Sequence, residues 1–134
     1  MKYQALFLIL LLCACDGGSR KFYSFDFRYG DSFLHEVKES PELIESNGTY
    51  FLNDVKAENQ LVLISQKIVT YQKRKIRVSK YSTNRFALDS NLLVYISETP
   101  QVLLIKSSVW DTGIALGIKK KDELIQILES FSSM

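Results

Sequence analysis

The chain has two cysteines in 134 residues, and both, Cys13 and Cys15, lie within the first fifteen positions. With one residue between them they are poorly placed to bridge each other, and no later cysteine can serve as a partner. A disulfide scaffold is therefore excluded. It is also unnecessary, because the 120 residues from Cys15 onward suffice to bury a core without staples. Histidine occurs once, at His35. A tetrahedral zinc site needs about four nitrogen or sulfur ligands, so a cysteine-based metal centre is excluded too. Charge of one sign is also lacking: 17 basic against 15 acidic side chains give a formal net charge of +2. No concentrated basic face of the kind nucleic-acid binding requires follows from that balance. No phosphate loop and no dinucleotide fingerprint occurs, so no cofactor is expected.

A long apolar run is missing as well. The longest, Ala5 to Leu12, is far short of the roughly 20 residues that cross a bilayer. It is apolar on every side, unlike an amphipathic surface helix. Met1-Lys2 gives it a positive start, and Asp16-Gly17-Gly18-Ser19-Arg20-Lys21 ends it abruptly. Positive start, apolar middle and small residues at the end make the three-part form of a secretory signal.

Leu12-Cys13-Ala14-Cys15 closes that run and resembles the lipobox of bacterial lipoproteins. The resemblance covers the first fifteen or sixteen residues. It implies cleavage between Ala14 and Cys15 and acylation of Cys15, with residues 1–14 as the signal peptide. Two or three acyl chains on one residue hold a protein essentially permanently, whereas a single myristoyl chain binds marginally. Asp16 then resembles an inner-membrane retention signal if the host is a proteobacterium; its alternative is an ordinary linker residue. Residues 15–21 read as the lipidated cysteine and a short flexible tether, and 22–134 as one globular domain.

The domain begins with an alternating strand. Tyr23, Phe25, Phe27 and Tyr29 fall on one face, and Ser24, Asp26 and Arg28 on the other. From Ser32 to Ser46 the spacing of Phe33, Val37 and Ile44 predicts helix, in one or two pieces, with Ser40-Pro41 as a second start and Asn47-Gly48 as the stop. Tyr50-Phe51-Leu52 and Leu61-Val62-Leu63-Ile64 read as strands. Ile68–Gln72 and Ile76–Tyr81 read as a hairpin across Lys73-Arg74-Lys75, and Phe86–Leu88 as a further sheet segment. Leu92–Ile96 and Val102–Ile105 form a second hairpin, and Ile114–Ile118 the last strand. Leu124, Ile127, Leu128 and Phe131 fall at i, i+3, i+4 and i+7 of a closing amphipathic helix. The predicted class is α+β: mainly an antiparallel sheet of hairpins with an N-terminal helical segment and a C-terminal amphipathic helix. From Ile68 to Phe131, successive hairpins followed by one helix loosely resemble bacterial PH-like domains.

Catalytic signals are sparse. His35 beside Glu36 suggests a base oriented by a carboxylate, but adjacent helical residues do not face each other, so a surface histidine is the reading. No Gly-x-Ser-x-Gly elbow supports a serine triad, and the acids are scattered. Lys73, Arg74, Lys75, Arg77 and Lys80 form the one local charge concentration. Three readings stand for it: contact with anionic headgroups, docking to an acidic protein, and a solvated hairpin tip that discourages edge-to-edge pairing. Trp110, in the loop Ser107–Gly113, reads as a cap on the sheet core, with an exposed partner anchor as the alternative.

These features lead to an expectation of a lipid-anchored protein of the bacterial cell envelope, with the inner membrane facing the periplasm favoured by Asp16 if the host is a proteobacterium. Its partners would be the membrane, through Cys15, and another protein, with no nucleic acid. The expected role is a non-catalytic protein-binding or accessory module. The competing classes are a small periplasmic enzyme acting on envelope material and a structural envelope component.

Overall fold

The computed structural model describes residues 21–28, 32–84, 91–118 and 120–132. The signal-like segment, Cys15, the tether as far as Arg20 and the strand expected at Phe86–Leu88 lie outside the described residues.

Nine strands and one α-helix make up the described chain. In order they are β1 (Phe22–Asp26), β2 (Ser32–Glu36), β3 (Leu43–Ser46), β4 (Thr49–Leu52), a 3₁₀ turn (Ala57–Asn59), β5 (Leu61–Tyr71), β6 (Arg74–Thr83), β7 (Leu92–Ser97), β8 (Gln101–Ser107), β9 (Thr112–Leu116) and α1 (Lys121–Ser132). Seven strands form one sheet in the order β2-β1-β9-β8-β7-β6-β5, and β3 and β4 form a separate hairpin. Every pairing is antiparallel.

The α+β expectation with an N-terminal helical segment is corrected: the described chain is mostly antiparallel sheet, with α1 at its C-terminal end. Residues 32–46 carry no helix. Ser32–Glu36 is a strand whose Phe33 stands opposite Phe25 of β1. The physical reason lies in the spacing. Phe33 and Val37 are four apart, a separation that satisfies the helical repeat and the strand repeat of two equally well. The tertiary pairing with β1 decides between them. Asn47-Gly48 does not stop a helix. It is the two-residue turn of the β3–β4 hairpin, with both residues at positive φ (52° and 79°) and Ser46 opposite Thr49.

The two faces of the sheet are covered differently. Tyr95 meets Phe131 of α1 edge to face at 5.1 Å, and Leu124, Ile127 and Phe131 bury the helix stripe. Each such side chain contributes about 1.5–3 kcal/mol of burial. On the opposite face, Tyr50 of β4 packs edge to face on Tyr81 of β6 at 5.9 Å, and Leu52 is buried. The core includes Phe25, Val78, Val94, Leu104, Ala115 and Ile118. Leu61–Ile64 and Ile68–Gln72, read as separate strands, merge into the eleven residues of β5, with an irregularity between Leu63 and Ser65.

The sheet curls. The Tyr71 hydroxyl of β5 donates to the Leu116 carbonyl of β9 at 2.6 Å, although β5 and β9 are four strands apart in the sheet. In a flat sheet they would lie about 19 Å apart. Gln72 adds a second tie, its Nε2 donating to the Gly117 carbonyl at 3.2 Å. Gly117 has φ of 66°, a conformation that favours glycine, and a side chain there would displace the end of Gln72 and its bond to the Gly117 carbonyl.

Candidate functional site

His35 lies in β2 rather than on a helix, and it is exposed. Its Nδ1 is 3.4 Å from Ser24 Oγ. That hydroxyl donates to the His35 carbonyl at 3.2 Å and accepts from the His35 N–H, also at 3.2 Å. Ser24 therefore stitches β2 to β1 through the His35 backbone, at shorter distances than its contact with the imidazole. Among the described residues no carboxylate bonds His35, so the parts of a base-activated nucleophile are not assembled.

The acids are engaged or dispersed. Arg28 grips Asp26 through Nη2–Oδ2 at 2.8 Å and Nε–Oδ1 at 3.1 Å. The side-chain hydrogen bond from Arg28, followed by its backbone N–H, holds the Asp26 carboxyl below the ordinary carboxylate range. No group of three or more His, Cys, Asp or Glu able to hold a metal occurs among the described residues. Lys106 is half-buried and donates to the Ser107 carbonyl at 2.7 Å. Burial pushes its pKa down, with Asp111 opposing and Lys80 adding to the effect. A cleft of about 730 Å³ runs between the 39–42 segment and β8–β9, lined by Glu39, Glu42, Leu52, Asn53, Ile105 and Ile114 among others. It brings no catalytic pair together.

What the surface does present is apolar. Val62, Leu63, Ile64 and Ile68 are all exposed, Ile68 at 64%, and all four sit on β5. Among the described residues β5 is the last strand of the sheet and β6 is its one strand neighbour; α1 packs against its Tyr71 end. The β3–β4 hairpin reaches only its start, where Phe51 bridges Gln60. The local reason is the pleat. Val69 and Tyr71 turn inward and are buried, while Ile68 and Gln66 turn outward, Ile68 opposite Arg77 and Gln66 bonded to Ser79 at 2.9 Å. Beside the irregularity between Leu63 and Ser65 the alternation of burial is lost: Val62, opposite Ser82 and on the Val69 face, is exposed along with Leu63 and Ile64. Natural edge strands are usually short, charged or covered. β5 is eleven residues long and carries one charge, Lys67.

The residues named from sequence divide. Alternation along β6 sends Lys75 and Arg77 to the outward face, beside Thr70 and Ile68. Lys80 goes to the other face, its Nζ 6.0 Å from the Tyr95 ring centre. The five cations are thus not one strip. Lys73 and Arg74 sit at the hairpin tip, both exposed. Trp110 does not cap the core; that reading is corrected, since the residue is 55% exposed. Ser107 Oγ accepts from both the Val109 and Trp110 N–H groups at 3.1 Å, forming a tight turn that lifts both side chains off the sheet. Sequence reasoning missed the outer edge of β5, because an apolar run reads as core until the strand order is known.

No family model matches the chain, no curated protein matches its sequence, and no solved structure matches its fold.

Proposed function

We propose that this protein is a lipid-anchored envelope module that binds another protein, without catalysing a reaction, through the outer edge of β5. The observation that carries the reading is the run Val62, Leu63, Ile64 and Ile68, exposed on an eleven-residue strand at the end of the sheet. Such an edge offers main-chain donors and acceptors in the sheet plane, and apolar side chains beside them. The partner segment is extended, with apolar residues at alternate positions. It carries an acid where it passes Arg77, which stands beside Ile68 on the outward face.

The anchoring half of the proposal rests on the signal-like segment and the lipobox around Cys15. Intact mass of protein taken from membranes tests it. The expected mass is that of residues 15–134 plus acyl chains, lost in Cys15→Ser; an unmodified full-length mass rejects the anchor. The binding half is tested by Ile64→Lys with Ile68→Lys. Loss of the envelope partner at unchanged thermal stability is the expected result, and retained binding rejects the β5 edge.

A further inference from the structure

The hairpin tip between β5 and β6 lies beside the place where the chain enters the domain. Phe22, the first residue of β1, stands opposite Leu116, the last of β9. The next N–H, that of Gly117, donates to the Lys21 carbonyl at 2.8 Å. The Gly117 carbonyl in turn accepts from Gln72 in the tip. Three segments far apart in sequence, at Lys21, Gln72 and Gly117, thus meet at one end of the sheet.

That end is basic. Lys73, Arg74 and Lys75 are exposed at the tip, and Lys120 is exposed just before α1. Lys73, Lys120, Gln72, Gly117 and Glu123 line a shallow depression of about 330 Å³. Glu123 is the acid within it, and Glu98 lies near Arg74 in the adjoining depression. Lys21 is already paired with Glu36 at 2.8 Å. The tip is also held in a costly shape. Gln72 and Lys73 both have positive φ (49° and 67°), where the usual turn residues are Asn and Gly. A lysine kept at such a position puts its charge at the extreme end of the hairpin.

We infer that this end of the domain docks on the anionic bilayer that carries the anchor, with Lys73, Arg74, Lys75 and Lys120 as the headgroup contacts. The inference rests on the lipid-anchor reading for its geometry. Six residues, 16–21, separate Cys15 from β1, and such a length spans at most about 20 Å. The cations at this end, linked to Lys21 through Gly117 and Gln72, are therefore held near the surface, where each contributes roughly fivefold to partition. The contact also sets an orientation. Trp110 precedes β9 and Gly117 follows it, so Trp110 stands about 17 Å or more from the docked end. Leu63 and Ile64 likewise lie toward the far end of β5. The exposed side chains Leu63 and Ile64 are thereby left clear of the bilayer.

The test uses protein extracted from membranes and reconstituted with vesicles of phosphatidylcholine alone, or of phosphatidylcholine mixed with phosphatidylglycerol. An impermeant amine reagent then labels exposed lysines, read by mass spectrometry. Lys73, Lys75 and Lys120 are expected to label several-fold more slowly on the anionic vesicles, with protection removed by high salt. Lys56, an exposed lysine in the segment before β5, should label equally on both. Equal labelling of all four lysines overturns the inference. K73E/R74E/K75E should abolish the protection at Lys120, and protection that survives the reversal also overturns it. Flotation with phosphatidylcholine vesicles reads the anchor separately: failure to float there rejects the anchor, while the labelling difference on anionic vesicles still decides the docking.

Discussion

The Tyr71 hydroxyl and the Leu116 carbonyl are joined by a buried 2.6 Å hydrogen bond that closes one end of the curled sheet. It brings the inner face of the edge strand β5 against the strand that pairs with β1. The same curl turns the outer face of β5 to solvent and sets the β5–β6 tip beside Lys21. Core closure, the open edge and the position of the tip thus follow from one geometric arrangement.

Tyr71→Phe keeps the ring and removes the bond, leaving the Leu116 carbonyl short of a donor. The expected loss is about 1–3 kcal/mol, measured as a lowered urea midpoint at unchanged slope. An unchanged midpoint contradicts the closure described here.

Alkaline pH probes the packing on both faces of the sheet, Tyr95 under α1 and Tyr81 under the β3–β4 hairpin. Burial pushes the Tyr95 hydroxyl up from 10.0 to about 12, and burial followed by Tyr50 raises Tyr81 in the same direction. A group whose folded pKa is raised contributes stability that is complete below its unfolded value and is lost as pH climbs through the folded one. Stability should therefore hold to about pH 10 and fall between about pH 10 and about pH 12. Denaturant melts across that range check it, and Tyr95→Phe should flatten the decline.

Two substitutions separate folding from binding. Leu104 is fully buried in β8, so Leu104→Ala should cost about 2–5 kcal/mol. Ile68→Lys, on the exposed face of β5, should change stability by less than about 0.5 kcal/mol while reducing partner binding at least tenfold. A large stability loss from Ile68→Lys means that the side chain is packed and that the edge is not free.

Lys73→Gly relieves a left-handed residue at the turn. A gain of up to about 1 kcal/mol is expected in thermal or urea unfolding, together with weaker attachment to anionic vesicles. Stability lost instead shows that the lysine makes contacts the turn depends on.

The sequence carried some of this and hid the rest, for identifiable reasons. The stripe Leu124, Ile127, Leu128 and Phe131 marks α1 because i, i+3, i+4 and i+7 fit only a helix. The hairpins around Lys73 and Pro100 were legible from apolar runs broken by turn residues, although the loops are shorter than expected, with Tyr71 opposite Arg74 and Ser97 opposite Gln101. β2 was not legible, because the spacing of Phe33 and Val37 serves both periods. Nor was the β3–β4 hairpin, since Asn-Gly ends helices and turns hairpins alike. The candidate site was the least visible part. Val62–Ile64 looks the same in a central strand as at an edge. The meeting of Lys21, Gln72 and Gly117 depends on a sheet curl that leaves no local mark.

The central claim is that the outer edge of β5 receives a strand from a different protein. A photo-crosslinking amino acid at position 68, compared with one at position 56 and activated in living cells, tests it most directly. A single adduct to another envelope protein from position 68, absent from position 56, and mapped to an extended apolar segment of that protein, is the predicted result. No adduct, the same adducts from both positions, or an adduct to a second copy of this chain would contradict it.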